Sequence, residues 1–124
     1  MPHYAKSIRP FIGSRDFEKS RNFYRDLGFE ESEIDGNMSY FHSGTVGFYL
    51  QNYYAREWIE NLVVFLEVDD VRRHREELTT LNIREKYAGV LISEIHHQPW
   101  GSEYFVHDPS GVLWHFGQFN SQII

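Results

Sequence analysis

At 124 residues the chain has room for one domain with its own core, and ten Phe, eight Tyr and three Trp within 41% hydrophobic content exclude a disordered segment. There is no Cys, which excludes disulfides, thiolate nucleophiles and zinc–thiolate sites. A net charge of −6 disfavours nucleic acid, whose phosphates need Lys and Arg, and either attracts a cationic ligand or serves solubility alone.

The segment MPHYAKSIRPF lacks an apolar run of signal-peptide length. No stretch approaches the roughly 20 apolar residues of a membrane span. The expected location is the cytoplasm, without a membrane partner. Residues 8–13 read as a strand. Ser14 then caps a helix from about residue 15 to 26, with Phe17, Phe23, Tyr24 and Leu27 on its buried face. Gly28 ends it in the left-handed position common after helices. Strands follow from Phe29, including Tyr40-Phe41 and residues 46–50 around a turn at 42–45.

The second half begins alike. Residues 62–68 form an apolar strand, and Asp69 or Asp70 caps a helix running to about Leu81. Its inner stripe is Val71, His74 or Arg75, Leu78 and Leu81. Residues 92–97, 103–107 and 112–118 read as strands, with a turn at Asp108-Pro109-Ser110-Gly111. Trp114 and Phe116 face the helices and His115 the other side. Asp16 and Asp70, Leu27 and Leu81, and Phe29 and Ile83 are each separated by 54 residues. The strands before the helices match at the same offset. This predicts an α+β domain over residues 1–124, with one module at about 5–55 and another at about 60–120.

Residues 14–29, SRDFEKSRNFYRDLGF, resemble the first helix of the vicinal oxygen chelate superfamily, which includes glyoxalase I, extradiol dioxygenases and bleomycin resistance proteins. The ending Asp108-Pro109-Ser110-Gly111-Val112-Leu113-Trp114-His115-Phe116 is similar to its closing hairpin. The likeness runs from about residue 8 to 118. Within the superfamily, Gln98-Pro99-Trp100-Gly101, and Pro10 six residues before Asp16, most resemble the bleomycin resistance proteins. The resemblance implies two tandem βαβββ modules and a homodimer with two interface clefts. It also implies an N-terminal strand able to cross to the other subunit.

The superfamily's enzymes hold a divalent metal at four positions. Carried over by the resemblance, these fall on Arg9, on Tyr49 or Gln51, on Val63 and on His115. Only His115 ligates well: guanidinium stays protonated, and Val has no donor atom. No cofactor or metal is therefore expected. The other His residues lack ligand spacing, and His96 and His97 point to opposite faces of a strand.

A metal-free aromatic cavity is a binding site first. By the resemblance Trp100 stacks on a flat ligand, or else it plugs the core or the dimer seam. Gly101 follows it. The second aromatic wall of the family falls on Met38, with Tyr40 on the same face as a substitute. Tyr49 and Gln51 share the cavity with Arg9 and His115 and orient a polar ligand, or are filler and a solvated side chain. Glu103 meets a cationic group or, by preference, pairs with Arg9. The leading expectation is a metal-independent dimer that sequesters a flat, cationic, antibiotic-like small molecule. The alternative is a glyoxalase-type lyase or isomerase with His115 as general base. A regulatory domain presenting an exposed apolar face is a third.

Overall fold

Two four-stranded sheets of the same topology make up the computed structural model, which describes residues 1–121. In the first module β1 (Phe11–Gly13) leads through α1 (Phe17–Asp26) to β2 (Glu30–Asp35), β3 (Met38–Ser43) and β4 (Val46–Gln51). The strand order is β1-β4-β3-β2. A linker holds the short helix α2 (Arg56–Ile59). In the second module β5 (Val63–Glu67) is followed by α3 (Val71–Thr79), α4 (Ile83–Lys86), β6 (His96–Gln98), β7 (Gly101–His107) and β8 (Leu113–Phe119). Its order is β5-β8-β7-β6. In each sheet the first strand runs parallel to the last and the rest are antiparallel. This is the α+β pair of βαβββ modules that the 54-residue offset predicts.

The offset is visible in the helix caps. Asp16 and Asp70 both have extended backbone, and each side chain accepts the amide N–H three residues on, from Lys19 and Arg73, at 3.1 Å. Ser14 is therefore not the cap, and α1 starts two residues later than expected. The Ser14 hydroxyl instead donates to the Gln51 carbonyl at 2.7 Å and ties β1 to the end of β4. Gly28 has φ +96°, as its place after α1 requires.

Two expected strands are shorter than their apolar runs. Residues 8–10 lie outside β1, and Ile8 is 94% exposed. Pro10 has no N–H to offer a ladder, although its carbonyl accepts from Tyr49. Residues 92–95 form only an isolated bridge, Ile92 to Val106, so the edge strand is His96–Gln98 alone.

The sheets meet through their buried faces. Phe48 on β4 and Trp114 on β8 pack at 5.4 Å between ring centroids, and Tyr24 of α1 fills the space beside both. The Tyr24 hydroxyl donates to Asp108 at 2.5 Å and accepts from Trp114 Nε1 at 3.0 Å. The other Asp108 oxygen accepts three backbone N–H groups, from Ser110, Gly111 and Val112, each at 2.9 Å. The Asp108–Gly111 turn thus also fastens the second module to the first.

Helix α1 is tied to its own sheet by Glu31. Its carboxylate accepts from Arg21 Nε at 2.7 Å, Arg25 Nη1 at 2.6 Å and the Ser39 hydroxyl at 2.6 Å. Burial pushes the Glu31 carboxyl up, but Arg21, Ser39 and Arg25 together outweigh it and hold it below its ordinary value. A carboxylate depressed on folding stabilises the protein above its unfolded pKa, and that contribution is lost as pH falls through the folded one. Glu31→Gln is therefore expected to flatten the acid side of a plot of urea midpoint against pH. An unchanged slope below about pH 4.5 would contradict this.

Candidate functional site

Because side chains alternate along a strand, burying Phe48, Leu50, Trp114 and Phe116 turns Tyr49 and His115 away from the shared core. Each sheet thus keeps one open face, and the expected site residues divide between them.

The open face of the first module holds Arg9, Met38, Tyr40, Tyr49 and Gln51. In the β3–β4 ladder Tyr40 lies opposite Tyr49, and Met38 opposite Gln51. The Tyr40 and Tyr49 rings are 5.2 Å apart, and Phe11 adds a third ring 4.9 Å from Tyr49. Arg9 lies over this group. Its guanidinium carbon is 4.3 Å from the Tyr40 ring centre, and Nη1 donates to the Tyr49 hydroxyl at 3.0 Å. That bond holds the guanidinium above its ordinary pKa. Met38 is half-buried and takes no part in the aromatic group, so Tyr40 and Tyr49 form this wall.

The open face of the second module holds Trp100, Glu103 and His115. Gln98 pairs with Gly101, so Pro99-Trp100 is a two-residue turn between β6 and β7, with the proline ring presetting its first φ. Asn120 holds the turn to the end of β8: its amide N–H donates to the Trp100 carbonyl at 2.9 Å and its side chain to the Pro99 carbonyl at 3.1 Å. Trp100 stands 5.9 Å from Phe65 and 5.3 Å from Phe119, and those two rings stack at 5.6 Å. Phe65, from the edge strand β5, is 43% exposed. It lies across Gly117, where a Cβ would come within 2.5 Å of the ring. Sequence reasoning missed Phe65 and Phe119. The signal was available, since the alternation Val63-Val64-Phe65-Leu66 puts one apolar set on each face of β5.

Glu103 does not pair with Arg9, which packs on Tyr40 and Tyr49 of the other sheet. It is buried and accepts from His115 Nδ1 at 2.8 Å and from Gln98 at 3.4 Å. A carboxylate only accepts hydrogen bonds, so Nδ1 is the donor to Glu103, and Nε2 has no hydrogen-bond partner among the described residues. Phe105, opposite His115 in the ladder, packs 4.5 Å from its ring, and His96 stacks on the far side of Phe105.

Gly101 has a packing reason for being glycine. A Cβ there would sit 2.0 Å from the Gln118 carbonyl oxygen, which is backbone and cannot swing away. Gly101→Ala is expected to cost about 2 kcal/mol in a urea titration and to displace the Trp100 turn. A loss below about 0.5 kcal/mol would show that β8 yields there.

The two groups do not share one cavity within a chain. Among the described residues no hydrogen bond, ion pair or aromatic contact joins Arg9, Tyr40, Tyr49 or Gln51 to Trp100, Glu103 or His115. The expectation that Tyr49 and Gln51 line a cavity with His115 is not met by a single copy.

A divalent metal does not fit the four inward positions. Arg9 is a cation packed on Tyr40, Tyr49 offers a phenol already bonded to Arg9, Gln51 offers only a neutral amide and Val63 only carbon, so His115 is the one good donor of the set, short of the three protein ligands a catalytic metal needs. No group of three His, Asp or Glu among the described residues converges elsewhere.

A family model described as the Glyoxalase/Bleomycin resistance protein/Dioxygenase superfamily matches residues 1–116. Among solved structures, the chain is similar to a bleomycin resistance determinant encoded on the transposon Tn5, with 22% identity and a TM-score of 0.80, covering 94% of this chain and 100% of that one. It is also similar to the bleomycin-binding protein from Streptomyces verticillus complexed with copper(II)-bleomycin, with 22% identity and a TM-score of 0.77, over 94% and 97% of the two chains. A lactoylglutathione lyase from Agrobacterium tumefaciens aligns with 18% identity and a TM-score of 0.67, over 94% and 96%. No curated protein matches the sequence.

Proposed function

The chain belongs to the Glyoxalase/Bleomycin resistance protein/Dioxygenase superfamily, and from that membership we propose that it is a metal-independent binding protein that sequesters a flat, cationic, antibiotic-like molecule. The observation that carries this reading is the wall of Trp100, Phe65 and Phe119 standing on an open sheet face. Aromatic rings left on a surface beside a fixed turn offer a planar ligand a large contact area at little entropic cost. The opposing wall is the Tyr40–Tyr49 pair of a second copy, in a homodimer whose N-terminal residues reach across the seam. In that cleft Arg9 already covers the Tyr40 ring, which directs a ligand's positive charge toward the buried Glu103. The net charge of −6 favours its approach. Binding alone keeps the molecule from its target, and no bond is broken.

Isothermal titration with bleomycin tests this reading, alongside sedimentation equilibrium. A dimer that takes up one ligand per cleft supports it. The absence of heat at high micromolar bleomycin would sink the glycopeptide version, and a monomer at all concentrations would sink the cleft.

One observation favours a second reading. His115 is oriented by a buried carboxylate and keeps Nε2 free, which is the arrangement of a general base. On this reading the protein is a lyase or isomerase of the glyoxalase type, and His115→Gln abolishes turnover of a hemithioacetal. Stoichiometric Ni, Zn, Fe or Mn in the purified protein would overturn the first reading.

A further inference from the structure

On the open face of the second sheet a carboxylate flanks Gly117 on each side. In the two ladders Glu67 of β5 and Glu103 of β7 both lie opposite Gly117. Neighbouring strands are about 4.8 Å apart, so the α-carbons of the two acids stand about 10 Å apart across β8. Gly117 has no side chain, and the Phe65 ring lies over it, stacked on Phe119 and closed by Trp100. The aromatic wall therefore stands in a row that begins and ends with an acid.

The two acids are not equivalent. Glu103 is buried and already accepts from His115 and Gln98. Glu67 is exposed on the edge strand, and no hydrogen bond or ion pair reaches its side chain among the described residues. The alternation of β5 packs Val64 and Leu66 against the core and leaves Val63, Phe65 and Glu67 on the open face. No strand position on this face is Lys or Arg. The facing wall of the proposed cleft carries Arg9 over Tyr40 instead. A positive group entering the cleft is repelled by Arg9, and Glu67 is the carboxylate of the second face left open to receive it.

We infer that Glu67 is the charge-selecting residue of this face, which takes a planar ring bearing an alkylammonium group in preference to the matching carboxylate. The inference rests on the binding function proposed above for the same aromatic wall. Phe65 and Glu67 are two residues apart on one strand face, about 7 Å along the chain. An ammonium two or three bonds beyond a ring lying on Trp100 reaches the Glu67 carboxylate over that span, with the exposed Phe65 face beside it. Glu103 adds to the negative field of the row, and Glu67 makes the contact.

The test is a two-dimensional amide NMR titration with tryptamine, with indole-3-propionate of similar ring and reach but opposite charge, and with neutral 3-methylindole. Tryptamine is expected to shift the amides of Phe65, Glu67 and Gly117 and to bind at least about fivefold more tightly than the propionate. That preference should shrink on raising salt to about 0.5 M, because Glu67 is exposed. Glu67→Gln should cut the preference by about threefold and leave 3-methylindole binding unchanged, whereas Glu67→Asp should keep most of it. Equal binding of the two charged probes, a preference that survives Glu67→Gln, or no shift at millimolar tryptamine would overturn the inference. A bleomycin titration of the unaltered protein separates the two claims. Bleomycin bound without any charge preference among the indoles removes Glu67 and leaves the sequestering function standing, whereas no response to bleomycin or to any indole removes both.

Discussion

If the proposed sequestering function holds, Trp100→Ala is expected to weaken bleomycin binding by about 2–4 kcal/mol, a loss of roughly 30-fold or more. The indole is the part of the aromatic wall held by a rigid turn: Pro99 restricts the backbone, and Asn120 fixes both turn carbonyls. A planar ligand therefore meets a preorganised surface, and truncation removes both area and order. The fold should survive, because Trp100 is only half-buried and touches Phe65 and Phe119 rather than the main core. Calorimetric titration paired with a urea curve checks both halves of the claim. An affinity unchanged within twofold would remove Trp100 from the site.

The largest effect on stability is expected at Asp108. Its carboxylate accepts four hydrogen bonds inside the molecule, three from its own turn and one from Tyr24 in the other module. Asp108→Ala strips four donors of their partner at a position that is 1% exposed. The expected cost is about 3–5 kcal/mol, against a total stability of roughly 5–15 kcal/mol for a domain of this kind. Asp108→Asn keeps an oxygen for the turn amides but cannot accept the Tyr24 proton on its nitrogen, so about half that loss is expected. Chemical denaturation of the two variants measures the difference. Equal, small losses in both would mean that the turn is held by its glycine and proline alone.

Much of this frame was legible because both modules spell it in the same residues. Asp at the head of each helix, one repeat length apart, marks the N-caps, although the nearer Ser14 was the tempting choice. Trp114, His115 and Phe116 alternated as expected, because a strand buried on one face leaves no other pattern. The short helices α2 and α4 escaped notice because four residues carry no periodic signal. The partner of Glu103 was misjudged for a deeper reason. Spacing along a chain tells which face a side chain takes, but ladder register decides which neighbour it meets. Glu103 lies two pairs along β7 from the residue opposite His115, on the same face, whereas Arg9 packs on the other sheet, over Tyr40. The division of the expected site between two faces has the same origin. Alternation placed Tyr49 and His115 correctly on unburied faces, and only the packing of Phe48 against Trp114 reveals that those faces look apart.

That outward turn of the two aromatic faces has a consequence for mass action. In the proposed dimer a molecule that touches Tyr49 and His115 at once touches two chains, so its capture would be a three-body event at dilutions where the chains are separate. Occupancy then rises with the square of chain concentration rather than in proportion to it. Ligand and partner would then be each other's cofactor: whatever tightened the proposed dimer would tighten binding by the same factor, and a saturating ligand would hold together a dimer that otherwise fell apart. Expression level, as much as any contact in the cleft, would set how much of the molecule a cell could remove.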